Sequence, residues 1–124
     1  MTGKELFEMA MSLLGYTTNG NIQRRALAIV NKIYYEMYII FRKEKETFVP
    51  LKTLGDRIDL PPEVLSIVMP MGIAAGIAVG EGDGDMQQYY AYEYDRARKR
   101  YTRTETIIDV TGGACVYGNS EDCE

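Results

Sequence analysis

The sequence predicts an all-α protein: a small bundle of about four helices, with an extended connection over 46–60 and a flexible C-terminal tail. Three observations lead there. Apolar residues recur at steps of three and four through several long stretches. Glycine and proline cluster mainly between those stretches. The 124 residues suit one domain, and a chain of this size buries roughly two-thirds of its unfolded surface, enough for one core.

Residues 2–14 read as a short helix. Thr2 with Glu5 three residues on matches the capping box, and Leu6, Met9 and Leu13 follow at helical spacing, widened by Phe7 and Leu14. Gly15 stops it, and Tyr16 to Gly20 is a polar turn. Residues 21–44 form the longest candidate helix, with Asn21 as its expected cap. Ile22, Ala26, Ile29, Ile33, Met37 and Ile40 make a stripe flanked by Leu27, Val30, Tyr34 and Phe41. A face this wide suits the central helix of a bundle, roughly 35 Å long. The cations of Arg42-Lys43-Glu44-Lys45 suit the negative end of its dipole.

Residues 46–60 lose the helical period. Pro50 and Gly55 punctuate them, while Phe48, Val49, Leu51, Leu54, Ile58 and Leu60 pin the segment to the bundle, with room for short strands. A third helix spans 61–80, entered through Pro61-Pro62 and Glu63. Pro70 is expected to kink or break it, because the ring clashes with the carbonyl four residues back. Gly72, Gly76 and Gly80 leave a smooth groove along one face, open to close approach by another backbone. A last helix spans 85–103, capped by Asp83 or Asp85. Met86, Tyr90, Tyr94, Ala97 and Tyr101 line one face, with Tyr89 and Tyr92 off it. Residues 105–124 read as an acidic tail with a possible short strand at 106–110.

Composition excludes several functions. The formal charge is −4 and there is no histidine. The first argues against a nucleic-acid coat; the second removes imidazole catalysis and imidazole metal sites. The N-terminus lacks a signal pattern. The apolar run from Val64 to Val79 is interrupted by Pro70 and too short for the roughly 20 residues of a membrane span. Cys115 and Cys123 are too few for a secreted disulfide framework, which favours a cytosolic compartment.

No chemistry-bearing motif survives inspection. Glu81, Asp83 and Asp85 alternate like calcium ligands, but position twelve falls on Tyr94 or Arg96 rather than on Glu. The glycines do not lead into the Lys-Ser/Thr of a phosphate loop. No metal, cofactor or small-molecule substrate is expected, and carboxylate pairs such as Glu44 with Glu46 carry no mark of an active site. Two features point to binding. Arg96, Arg98, Lys99, Arg100 and Arg103 form a basic cluster beside tyrosines, which reads either as a nucleic-acid or acidic-protein contact or as a solvated helix end favoured by its dipole. The ten tyrosines exceed what one core can hold. Tyr34, Tyr35 and Tyr38 cannot all face inward, and tyrosine favours interfaces. The candidate interface is therefore Tyr34, Tyr35, Tyr38, Gly72, Gly76, Tyr89, Tyr92, Arg96, Arg98, Arg100 and Arg103.

The order of elements carries a resemblance. Leu54-Gly-Asp-Arg-Ile-Asp-Leu-Pro-Pro-Glu63 leads into Val68-Met-Pro-Met-Gly-Ile-Ala-Ala75, then an acidic Gly turn, then Tyr89-Tyr-Ala-Tyr-Glu-Tyr94. Over residues 2–104 this resembles the head–tail connector (adaptor) proteins of tailed bacteriophages and prophages. The resemblance implies a helical connector domain over 1–104 that forms a ring of about a dozen copies on the portal protein and extends the channel through which DNA passes. It implies portal and tail-completion proteins as partners, a place in the virion after assembly in the host cytoplasm, and no active site. The acidic, cysteine-containing tail after Thr111 departs from the pattern. The alternative is a small helical nucleic-acid-binding protein of packaging or regulation, resting on the Arg96–Arg103 cluster.

Overall fold

The computed structural model describes residues 1–41 and 47–109, with side chains described through residue 100. These residues form an all-α bundle of four helices: α1 (Gly3–Leu14), α2 (Gly20–Phe41), α3 (Met69–Gly80) and α4 (Gly84–Asp109). The expected cationic end of the long helix at 42–45, the segment 110–124 and both cysteines lie outside the described residues.

Local chemistry sets the helix ends. Thr2 Oγ1 accepts from the Glu5 N–H at 3.2 Å, and the Thr2 N–H donates to Glu5 Oε1 at 2.8 Å. The capping box thus satisfies two donors that α1 would otherwise leave free. Gly15 closes the helix at φ 71°, a left-handed conformation that a Cβ would penalise. The cap of α2 is Asn19, not the expected Asn21: Asn19 Oδ1 accepts from the Ile22 N–H at 2.8 Å. Gly20 lets the helix start one residue earlier, which moves the capping position back. Of the two carboxylates offered for α4, Asp83 is the cap, accepting from the Met86 N–H at 3.2 Å.

Pro70 does not break the third helix. Backbone helicity runs from 62 to 80, with a π-helical turn over Val64–Val68 just before the proline. There the Met69 N–H bonds back five residues to the Val64 carbonyl. Widening the turn accommodates a residue that has no N–H and whose ring would crowd the preceding carbonyls. Ser66 Oγ donates to the Pro62 carbonyl at 2.8 Å, satisfying an acceptor in the disturbed turn.

The hub of the bundle is α3, not the longer α2. It packs against α1, α2 and α4, and Met69, Ile73, Ala74, Ile77 and Ala78 are fully buried. A helix apolar on nearly every side can be satisfied only at the centre. Its small residues let three neighbours approach at once. By contrast α2 turns Ile22, Ala26, Val30, Ile33, Tyr34 and Met37 inward, while its outer face is polar at Asn21, Gln23, Arg24 and Lys32 and apolar at Tyr35 and Ile39.

The connection is extended and pinned, and among the described residues it contains no strand. Asn31 on α2 reads its backbone twice: Asn31 Nδ2 donates to the Leu51 carbonyl at 3.1 Å, and the Leu51 N–H donates to Asn31 Oδ1 at 2.8 Å. Further on, Thr2 and Arg57 form an isolated antiparallel bridge. The Lys4 N–H reaches the Leu54 carbonyl at 2.7 Å, and the Ile58 N–H reaches the Met1 carbonyl at 2.9 Å. Leu51, Ile58 and Leu60 are buried beneath these contacts. At the other terminus, α4 is helical to Asp109, so residues 106–109 of the segment expected as a strand are helical, and Val110 lies outside the described residues. Extending an existing helix adds a hydrogen bond per residue without a new nucleation cost. That outweighs the β preference of Thr106, Ile107 and Ile108.

Candidate interaction surfaces

The tyrosines divide by face. On α4, Tyr90 is buried and donates to the Leu13 carbonyl at 2.9 Å. Tyr94 donates to Glu36 Oε1 at 2.6 Å, and both burial and that carboxylate push its phenol pKa up. These two tie α4 to α1 and α2. Tyr89 and Tyr92 point the other way and are 55% and 61% exposed, with Met86 beside them at 37%. On α2, Tyr34, Tyr35 and Tyr38 surround Phe48, with ring centroids 5.1, 5.1 and 5.2 Å from it. Phe48 therefore consumes much of the tyrosine surplus inside the chain. Tyr34 is buried and Tyr38 half-buried, while Tyr35 keeps 48% of its surface exposed. Ile39, one turn on, and Val49, next to Phe48, are exposed as well.

The glycine groove is occupied by the chain itself. A Cβ on Gly72 would lie 2.9 Å from the Tyr94 ring and 3.0 Å from Ile33 Cδ1, and one on Gly76 would lie 2.9 Å from Ile29 Cγ2. At Gly80 the guanidinium of Arg25 lies where a side chain would stand. Arg25 Nη2 donates to the Gly76 carbonyl at 3.0 Å, near the carbonyl-rich end of α3. The glycines thus seat α2 and α4. What remains open above Gly72 and Gly76 is a cavity of about 250 Å³, rimmed by Lys32, Glu36 and Gln87.

The basic cluster is largely answered within its own helix. Asp95 holds Arg98 at 2.8 Å and Lys99 at 3.1 Å, and Glu93 lies 3.7 Å from Arg96. Arg96 and Arg98 also sit over the rings of Tyr92 and Tyr94, at 5.8 and 5.5 Å. Exposed pairs three or four residues apart contribute only about 0.3–0.5 kcal/mol each, so an outside partner can displace them cheaply. Arg96 and Arg100 are exposed, and the side chain of Arg103 lies outside the described residues.

The acidic turn is a clasp between loops. Tyr16 donates to Asp83 Oδ2 at 2.6 Å, and Asn19 and Asn21 donate to the two oxygens of Glu81 at 3.0 and 2.6 Å. The α1–α2 loop is thereby fixed to the α3–α4 turn. Among the described residues no three Asp, Glu, His or Cys gather as metal ligands. The tyrosine bond and the Met86 N–H hold the Asp83 carboxyl below the usual carboxylate range. Burial and the same carboxylate raise the Tyr16 phenol to about 12. A lowered carboxyl contributes stability above its unfolded pKa and loses it as pH falls through the folded value. A raised phenol contributes below its unfolded pKa, about 10, and loses it as pH rises toward 12. The clasp is therefore complete at neutral pH and loosens at both extremes. Tyr16→Phe should move the Asp83 carboxyl upward in a carbon-13 NMR titration; an unmoved carboxyl would show that the phenol does not hold it.

Comparison of the chain with protein-family models, with curated proteins and with solved structures finds no match. Its surfaces must speak for it. A concavity of about 560 Å³ between α1 and α2 is floored by Phe7, Met11, Ala26 and Leu54 and edged by Lys4 and Glu8. No described helix is long and apolar enough to cross a membrane.

Asn31, Arg25, Glu36 and Asn19 escaped sequence reasoning, although each fixes one element to another. Asn31 did leave a signal: an Asn in a helix interior competes with the helix backbone for hydrogen bonds and is best placed where another backbone needs it.

Proposed function

We propose that the protein is a structural head–tail connector subunit of a tailed phage, assembling with copies of itself into a ring on the portal and extending the DNA channel. The observation that carries this reading is the pair of exposed apolar faces on different helices. Met86, Tyr89 and Tyr92 make one on α4; Tyr35, Ile39 and Val49 make the other on α2 and the connection. Exposed aromatics in such patches mark association surfaces. Two unlike patches on one subunit suit a heterologous contact, which closes into a ring when the rotation permits. The order of motifs from Leu54 to Tyr94 supports the same reading. Binding nucleic acid through the Arg96–Arg103 cluster is the less favoured reading, because the chain's formal charge is −4 and the cluster shares its helix with Glu93 and Asp95.

Co-expression with the portal protein encoded in the same genome is the test. The expected result is a co-purifying complex that shows a ring beneath the portal by electron microscopy. Absence of both complex and ring would overturn the proposal. In the same experiment Tyr35→Ser with Ile39→Ser should abolish the ring while leaving the fold intact, since both side chains are exposed.

A further inference from the structure

The outward face of α4 has an order of its own. Asp85, Tyr89, Tyr92, Arg96 and Lys99 follow one another at steps of four, three, four and three, the spacing of a two-helix seam. All five are exposed. Among the described residues no other helix covers this face, and the opposite side of α4 turns Tyr90, Tyr94 and Ala97 toward the bundle.

The sequence of this seam is self-complementary. A twofold axis crossing α4 between Tyr90 and Ala91 exchanges position 85 with 96 and position 89 with 92. Two antiparallel copies then place Asp85 of each against Arg96 of the other, twice, with Tyr89 against Tyr92, twice, between them. The paired layers end there, because α4 begins at Gly84, and Lys99 of each copy extends past the partner's helix start toward the turn that carries Glu81 and Asp83. No layer sets like charges together. The parallel alternative would stack Asp85 on Asp85 and Arg96 on Arg96.

We propose that the free chain forms a twofold dimer through α4, in antiparallel register, with a second copy of itself as the occupant of this face. The tyrosine layers supply the apolar core of the contact, and the Asp85–Arg96 pairs set its direction. The long 3.7 Å approach of Arg96 to Glu93 is exposed and yields readily. Such a contact is isologous and closed at two copies. A ring built through the α2 and α4 faces has to open it, so the dimer belongs to the chain before assembly. The inference goes beyond the connector reading and does not depend on it.

Sedimentation of the full chain without portal, across a concentration series at low salt, tests the proposal. The wild type should pass from monomer to dimer and stop there. Asp85→Arg and Arg96→Glu should each weaken dimerisation by about tenfold or more, because each puts like charges in two layers. The double variant Asp85→Arg/Arg96→Glu should recover the wild-type affinity, and so should an equimolar mixture of the two single variants. Circular dichroism of each variant confirms folding, which exposed substitutions should leave unchanged. A wild type that stays monomeric overturns the dimer. A double variant as weak as the singles, or singles as tight as the wild type, overturns the register. With no portal present, none of these results bears on ring formation.

Discussion

Ile73→Ala is expected to lower the unfolding free energy by about 4 kcal/mol, toward the upper end of what deleting a buried aliphatic side chain costs. Ile73 is fully buried on α3, the helix that touches all three others. The lost transfer energy is only part of the effect. A cavity is left as well, because α3 is packed against three helices that cannot all close on it at once. Ile67→Ala, in the π turn and 41% exposed, should cost less than about 1 kcal/mol. Urea unfolding followed by circular dichroism measures both. If the two variants proved equally mild, α3 would not be the hub.

Gly72→Val should cost about 3 kcal/mol, through overpacking. The first added atom already lies 2.9 Å from two carbons of the Tyr94 ring. A flexible chain end could move aside, but this ring is held at its far end by the 2.6 Å bond to Glu36. Relief requires either breaking that bond or pushing α4 off α3. Gly80→Ala is the control. The three atoms nearest its added carbon all belong to the guanidinium of Arg25, the tip of a long side chain that can move aside at the cost of its bond to the Gly76 carbonyl, and removing a helical Gly gains roughly 0.8–1 kcal/mol of propensity. The net change at Gly80 should be within about 1 kcal/mol of zero. A Gly72 variant as stable as the Gly80 variant would mean that the groove is not seating the neighbouring helices.

The opposite outcomes expected for two glycines of one stripe show where sequence reading stops. Their spacing of four announced a smooth face on α3, and close approach was the correct inference. The approaching partner, however, is α2 and α4 of the same chain. The tyrosines behave alike. Tyr34, Tyr35 and Tyr38 visibly could not share one core, yet nothing in their spacing foretold that Phe48, across the loop, would take up most of the excess. The cap of α2 falls on Asn19, two residues before the expected Asn21, a shift of the size by which helix ends escape local sequence signals.

What the sequence determined by itself is what depends on neighbours a few residues away. The all-α class, the capping box of Thr2 and Glu5, the stop at Gly15, the proline entry to the third helix and the outward placement of Tyr89 and Tyr92 all follow from periodicity and from short-range hydrogen bonding. Tertiary structure decided the rest: that α3 and not α2 is central, that Pro70 is absorbed by a π turn, that Arg25 lies across Gly80, and that Asn31 holds Leu51. All but the π turn are contacts between residues far apart in the chain. Such contacts are chosen by which arrangement buries the most apolar surface with every polar group paired, and that balance exists only once all four helices are in place.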